Sequence, residues 1–475
     1  MTDLNKAKPI LLSPWRLRND SRYVVAYKCV TSEVKYRILT PREATLVPFL
    51  NGELPLEDVR KLWNSVVFPF RNQGKPGFDE VFASLSKMSG FIGYDGPISP
   101  SLSDDRTRLI PELSSYEIPQ ERLLRPLKVN ISFTERCRTD CIYCYAERSP
   151  KNPDIDFIKI CELLDQLESN DIFIVDITGG DFLSRADAGD ILKQMVKRNF
   201  IFYLSTKCYI SEELAGLMAE LGIGRQDSLP HLQRTLQLSV DSADSQIASY
   251  LVRRPNYLEQ MIESVSNLVR AGVSPVVKSV LSSFNSQTPR GLVKLFSDLG
   301  VVNFQFVQYA RSYYRHKDEL FLSPETKKHL AREFQKIHED FPDLHITYEN
   351  KPSEENMNWE EWHNRSICSG GRVSMLVKGN GDVILCDQIP HIPRHVVGNV
   401  FKQGFLEVWG SQALTDFLHP PKNLFEKTVC YNCPEFDNCH TSKGYCYRDS
   451  FFAYGSLYDA PPNCPAQQKP HPRTI

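Results

Sequence analysis

The chain has 475 residues, enough for roughly three folded units at about 150 residues each. Its 56 basic and 58 acidic side chains leave a net charge of −2, which argues against a polyanion binder, so nucleic acid is not an expected partner. The opening MTDLNKAKPILLSPW lacks the long apolar core of a secretory signal, and no stretch approaches the ~20 apolar residues that cross a bilayer. The expectation is a cytoplasmic protein without a membrane partner, whose 13 cysteines stay reduced.

Residues 1–100 predict a small winged-helix-like domain. Two β-rich runs, YVVAYKCV (23–30) and VKYRIL (34–39), form a hairpin. Helical segments PREATLVPFLNG, LPLEDVRKLWNSV and FDEVFASLSKMSG follow, the first with Thr40 as N-cap and Pro41 at its first position. FIGYDG (91–96) reads as a returning strand, and residues 101–125, rich in Pro, Ser and charge, as a linker.

From 126 to 345 the pattern alternates. The apolar runs LKVNISF, IFIVDITGG, FIFYLST, TLQLSVDS, SPVVKSVL and NFQFVQ have the length and β-branched content of buried parallel strands, with amphipathic helices between them. Six such units predict an α/β fold, a partial parallel TIM-like (β/α)6 barrel, with its chemistry where strands end and loops begin. Residues 346–475 carry cysteines, prolines and turn signals with little periodicity, so something other than a large core must hold them.

The first barrel strand runs into CRTDCIYCYAE (137–147), three cysteines spaced C-x3-C-x2-C. In a reducing compartment such clustering points to metal rather than to a disulfide. Four cysteines would close a zinc or iron–sulfur site; three leave a coordination position open. A zinc knuckle needs a fourth ligand nearby, and the nearest histidine along the chain is His231. Cys29, Cys161 and Cys208 stand alone and read as small buried hydrophobes.

With Tyr143 before its last cysteine, this spacing resembles the signature of the radical S-adenosylmethionine (SAM) superfamily. The resemblance implies that Cys137, Cys141 and Cys144 hold three irons of a [4Fe-4S] cluster and that SAM chelates the fourth. One electron from the reduced cluster would then split SAM to a 5′-deoxyadenosyl radical. TGGD (178–181) after the second strand is similar to the family's GGE-type motif, so Gly179, Gly180 and Asp181 are implied to hold the SAM amino group, with Asp in place of the usual Glu. Ser239 in LSVDS is an implied contact to SAM polar groups, Asp241 is structural, and Arg253 or Arg254 pairs with the SAM carboxylate. An ordinary Gly-Gly turn and a solvated helix-end arginine are the plain alternatives. Lys207 and Lys278 end strands three and five without an assigned role.

Seven further cysteines lie between 368 and 464. Gly381 and Cys386 in GDVILC, followed by Cys430, Cys433 and Cys439 at C-x2-C-x5-C spacing, resemble the SPASM extension of radical SAM enzymes that modify peptides. The gap from Cys439 to Cys446 is six residues rather than the pattern's three. The resemblance implies one auxiliary [4Fe-4S] cluster on Cys430, Cys433, Cys439 and Cys464. A second would sit on Cys368, Cys386 and Cys446, with one site open or filled by another ligand. Two all-cysteine zinc sites would need eight thiolates, against the seven present.

Asp387 follows Cys386, and in sulfatase-maturing members an aspartate at that place accepts a substrate proton; an aspartate that only supports its neighbours, or a solvated one, is the blander reading. The N-terminal block resembles the PqqD-like domains that recognise leader peptides, with a dimerisation or lid domain as the alternative. The implied function is maturation of a ribosomally made precursor peptide by a C–C, C–O or thioether cross-link. The implied partners are that precursor with its leader and an electron donor of flavodoxin or ferredoxin type. The alternatives are a formylglycine-forming sulfatase maturase and, from another class, a zinc-clustered binding protein.

Overall fold

The computed structural model describes residues 4–30, 33–67, 76–102, 109, 113–119, 121–147, 154–225, 234–312, 314–349, 357–365, 368–440 and 446–467. It divides into two compact units, one of residues 1–120 with 227–233, the other of 121–226 with 234–475.

In the first unit, β1 (Ile10–Leu11), β2 (Arg16–Asn19), β3 (Val24–Val30) and β4 (Glu33–Ile38) precede α1 (Pro41–Leu46), α2 (Leu56–Val67), α3 (Phe78–Ser86) and β5 (Ile92–Gly93). The expected hairpin is β3–β4, and β2 adds to it to give a three-stranded antiparallel sheet. The returning strand does not rejoin this sheet: β5 pairs with β1, a two-residue strand too short to show periodicity in the sequence. Thr40 caps α1 as predicted. Its hydroxyl accepts from Glu43 N at 3.3 Å, while the Glu43 carboxylate accepts from Thr40 N at 2.9 Å, so two orphan amides are satisfied reciprocally. Val24, Ala26, Leu46, Trp63, Phe78 and Leu85 meet in the core between sheet and helices.

Residues 103–108, 110–112 and 120 of the expected linker lie outside the described residues. Part of the remainder is docked: the Tyr116 hydroxyl accepts from Val24 N (3.1 Å) and donates to Leu39 O (2.7 Å).

The second unit is built on β6 (Lys128–Thr134), α4 (Phe157–Glu168), β7 (Ile174–Gly179), α5 (Ala188–Lys197), β8 (Ile201–Thr206), α6 (Glu212–Glu220) and β9 (Arg234–Ser239). It continues through α7 (Ser245–Val252), α8 (Tyr257–Arg270), β10 (Val276–Leu281), α9 (Pro289–Ser297), β11 (Asn303–Gln308), α10 (Pro324–Asp340) and β12 (His345–Glu349). Three more strands follow: β13 (Ser374–Val377), β14 (Asp382–Ile384) and β15 (Gly398–Asn399).

All six predicted strands are present and pair in parallel in chain order, β6 to β11. The sheet then extends past both ends of the predicted six. β12 joins β11 in parallel, and β13, from the cysteine-rich region, joins β6 in parallel and carries β14 and β15 antiparallel. The ten strands form one sheet that the described residues leave unclosed, a partial barrel. Val129, Ile131, Phe133, Leu204, Leu236 and Phe304 enter the main apolar core. Strand alternation turns Asn130, Asp176, Thr178, Tyr203, Gln237 and Lys278 to the opposite, polar face. Among the described residues no helix is long and apolar enough to cross a membrane.

Candidate active site

β6 ends in an irregularity between Ser132 and Thr134, where the chain is re-aimed into the cysteine loop. The loop hangs on the end of α7: Asp140 N and Ile142 N donate to Val252 O and Leu251 O, each at 3.0 Å. Arg315, from the loop after β11, clamps it from the other side. Its guanidinium donates to the carbonyls of Asp140 (3.0 Å) and Cys141 (3.1 Å) and pairs with the Asp140 carboxylate at 2.6 Å. Cys141 is buried; Cys137 and Cys144 are half-buried, and all are free thiols. Burial pushes the Cys141 thiol up, and the Lys207 ammonium pulls it back.

Tyr143 hydrogen-bonds through its hydroxyl to the Asp241 carboxylate. Asp241 is buried, accepts from Val280 N at 2.9 Å and pairs with Lys207 at 3.5 Å. The Lys207 ammonium also lies 5.6 Å from the centroid of the Tyr143 ring. Asp241 thus joins the ends of β8, β9 and β10 to the cysteine loop, and Lys207, left without a role by the sequence, is its counter-ion. Ser239 is half-buried at the end of β9, where its hydroxyl accepts from Gln237 Nε2 at 2.8 Å.

Protein atoms crowd both Gly179 and Gly180. A Cβ on Gly179, whose φ is +94°, would stand 2.1 Å from Ser132 Oγ, and one on Gly180 would stand 2.2 Å from Arg136 O. Gly180 N donates to Thr134 O at 2.7 Å and Asp181 N to Arg136 O at 2.8 Å, so the motif zips the end of β7 to the root of the cysteine loop. The buried Asp181 carboxylate accepts from Thr206 Oγ1 (2.8 Å), Lys207 N (2.7 Å) and Leu183 N (3.2 Å).

The two arginines separate. Arg253 is half-exposed and pairs with Asp140 at 3.0 Å, bracing the cysteine loop. Arg254 Nη1 is buried without a hydrogen-bond partner, and its charge acts on buried Tyr257, which in turn feels Asp241, Cys141 and Asp181. The unpartnered donor in this neighbourhood belongs to Arg254.

The cysteine-rich region forms two groupings. Cys430, Cys433, Cys439 and Cys464 line one cavity whose other walls include Trp359, Trp362 and Phe436. Trp362 Nε1 donates to Cys439 Sγ at 3.3 Å. The thiols stand around a space rather than at a point; among the described residues no three His, Cys, Asp or Glu side chains converge to hold a single ion. Cys446, at the head of the helix Tyr447–Tyr454, lies outside that cavity lining, and the charge of Arg448 acts on both Cys446 and Cys386. Burial and the charge of Asp387 push the Cys386 thiol up to about 12, and Cys368 contributes in the same sense.

Asp387 follows Cys386 and is felt by charges on β7 and on the cysteine-rich region. Burial and the charge of Asp176, on β7, hold its carboxyl above the usual range, while Lys378 and Arg448 oppose them. Lys378 in turn pairs at 2.9 Å with Glu135, the first residue after β6. Tyr145, the neighbour of Cys144, is coupled to the charges of both Asp387 and Asp176. Sequence reasoning assigned no role to Lys378 or Trp362, and read Arg315 only as part of RSYYRHKDE (311–319), a stretch that could touch substrate or be a solvated loop. Cys29 and Cys208 are buried as expected, whereas Cys161 is half-buried on α4. His231 lies outside the described residues.

A partial parallel barrel with a three-cysteine loop at the end of its first strand defines a class, and residues 131–299 match the radical SAM superfamily. Those residues form a radical SAM domain within the chain. Residues 368–434 match SPASM, an iron–sulfur cluster-binding domain. SAM and a [4Fe-4S] cluster are the cofactors of the first domain, and further iron–sulfur clusters those of the second.

The chain is 22% identical over 298 residues to the antilisterial bacteriocin subtilosin biosynthesis protein AlbA of Bacillus subtilis. That match covers 60% of each chain, less than two thirds of AlbA's length. It is 21% identical over 348 residues to the mycofactocin maturase MftC of Mycolicibacterium smegmatis, 71% of this chain and 82% of that one. Streptococcus suis SuiB, solved bound to its precursor peptide SuiA, shares the fold with a TM-score of 0.64 at 15% identity, over 97% of this chain and all of SuiB.

The residues fit these groups. Four thiols wall one cavity, Arg448 acts on Cys386 and Cys446 while Cys368 acts on Cys386, and Tyr257 feels both Cys141 of the SAM loop and Arg254, whose buried Nη1 is unpartnered.

Proposed function

We propose that the chain matures a ribosomally made precursor peptide, installing a C–C, C–O or thioether cross-link. The observation that carries this reading is the first unit's three-stranded sheet, which ends in the edge strand β4, a place where a peptide strand can add. A substrate residue seated over the polar face of the barrel would have a carboxylate on one side and the SAM loop on the other. SAM and the clusters, when bound, supply the one-electron chemistry of hydrogen removal from an unactivated carbon.

In this reading Cys137, Cys141 and Cys144 hold the SAM-binding cluster, and Arg254 rather than Arg253 faces the SAM carboxylate. Cys430, Cys433, Cys439 and Cys464 hold one auxiliary cluster, and Cys368, Cys386 and Cys446 the other. Asp387 takes the proton that the substrate loses as the cross-link closes. The first unit, as a PqqD-like domain, receives the leader as a strand added to β4, an edge strand of its sheet. The protein works in the cytoplasm with a flavodoxin- or ferredoxin-type reductant.

The test is anaerobic incubation of the iron-loaded enzyme with reductant, SAM and the precursor encoded beside its gene. The expected products are 5′-deoxyadenosine and a peptide lighter by two hydrogens, and Asp387→Asn should abolish the mass change while still binding SAM. An unchanged peptide mass overturns cross-linking. Formylglycine formation that survives deletion of residues 1–100 would instead establish the sulfatase-maturing reading, and stoichiometric zinc with little iron the zinc-clustered one.

A further inference from the structure

Among the aromatic rings around the four-thiol cavity, one makes a directed polar contact to a ligand sulfur. Trp362 is 3% exposed, and its indole Nε1–H points at Cys439 Sγ from 3.3 Å. The geometry is fixed from both ends. Asn358 and Glu361 cap the short helix Trp359–Asn364 reciprocally, at 2.9 Å in each direction. Met357 N donates to Asn463 O at 3.0 Å, one residue from Cys464, and His363 meets Glu435 at 3.1 Å, on the segment that carries Cys433 and Cys439. Arg365 lies 3.9 Å over the Trp362 ring and donates to Trp362 O at 2.6 Å, placing a fixed positive charge behind the indole.

An indole N–H can only donate. Directed at a metal-bound thiolate, it withdraws charge from the sulfur and favours the form of the cluster that carries one more electron; hydrogen bonds to cluster sulfurs are among the features that set such potentials. Phe436, Pro461 and Ala466 give that cavity apolar walls, beside which a polar contact to sulfur is felt more strongly than in water.

We propose that Trp362 is a positioning residue that raises the reduction potential of the auxiliary cluster held by Cys430, Cys433, Cys439 and Cys464, through its Nε1–H···Sγ bond to Cys439. This rests on the reading that those four thiolates hold a cluster. It makes that cluster a better electron acceptor than the same four thiolates would be without the indole donor.

The test is a potentiometric titration of the anaerobically reconstituted full-length protein, followed by electron paramagnetic resonance, with iron counted in parallel. Trp362→Phe, which keeps a buried ring and removes the donor, should shift one auxiliary signal to more negative potential at unchanged iron content. Trp362→His, which restores a ring N–H, should move it back towards wild type. Trp359→Phe, in the same cavity wall, should leave it in place.

An unshifted potential in Trp362→Phe at full iron overturns the proposal. So does an equal shift in Trp359→Phe, which assigns the effect to water exclusion, and so does loss of iron from both Trp362 variants, which assigns Trp362 to packing. The underlying reading is tested separately. Replacing Cys430 and Cys464 by Ala should remove about four irons, and an unchanged iron count sinks the cluster assignment itself.

Discussion

At Gly180 a motif was readable but its reason was not. The Gly-Gly pair suggested close approach of a ligand; Arg136 O and Thr134 O come close as well, so the glycines also hold the cysteine loop down. Gly180→Ala should therefore cost at least about 1–3 kcal/mol and lower the iron retained by the SAM site, read by thermal unfolding and iron analysis. Gly216 is the contrast: on α6, with nothing near its missing Cβ, Gly216→Ala should stabilise by about 0.5–1 kcal/mol. The adjacent arginines teach the same lesson. Arg253 sits in the left-handed region at φ +53°, as the cap of α7, and the chain turns there, sending the two side chains to different partners. Sequence cannot see that turn, and so could not choose between them. Arg254→Gln should weaken SAM binding by about tenfold or more in equilibrium titration, with little change in unfolding midpoint.

At the scale of elements, strands and helices with strong local signals were legible, and so was the Thr40 cap. The bracing of the cysteine loop was not, because Arg315 and Cys141 are 174 residues apart and meet only through the order of the strands. Removing each brace should separate them. Arg315→Ala strips two carbonyl bonds and a partly buried ion pair, and should lower SAM-site iron and the unfolding midpoint. Arg253→Ala removes only a half-exposed pair and should cost about 1 kcal/mol or less. In the first unit, Lys28 and Lys35 stand directly opposite each other on β3 and β4. Like charges so placed repel, so Lys35→Glu should stabilise the hairpin by about 0.2–1 kcal/mol in chemical denaturation.

For the whole molecule, the six barrel strands announced themselves as β-branched apolar runs between amphipathic helices. β12, HITYE, alternates buried and exposed at the sheet margin, and β13, SMLV, is only four residues long, so neither stood out. The cysteine spacing grouped Cys430, Cys433 and Cys439, which line one cavity with Cys464, but gave no sign of what surrounds Asp387: Lys378, Asp176 and Tyr145 converge there only once the sheet is assembled.

The parallel pairing of β13 with β6 reaches further than topology. Ser374 to Val377 cover Lys128 to Ile131, the border of the very strand that launches the cysteine loop. A chain cut after Glu349 would strip that hem and leave a raw row of amides and carbonyls, the kind of margin that recruits other chains. Such a fragment should appear in the pellet of a lysate rather than as a working barrel with its accessory removed.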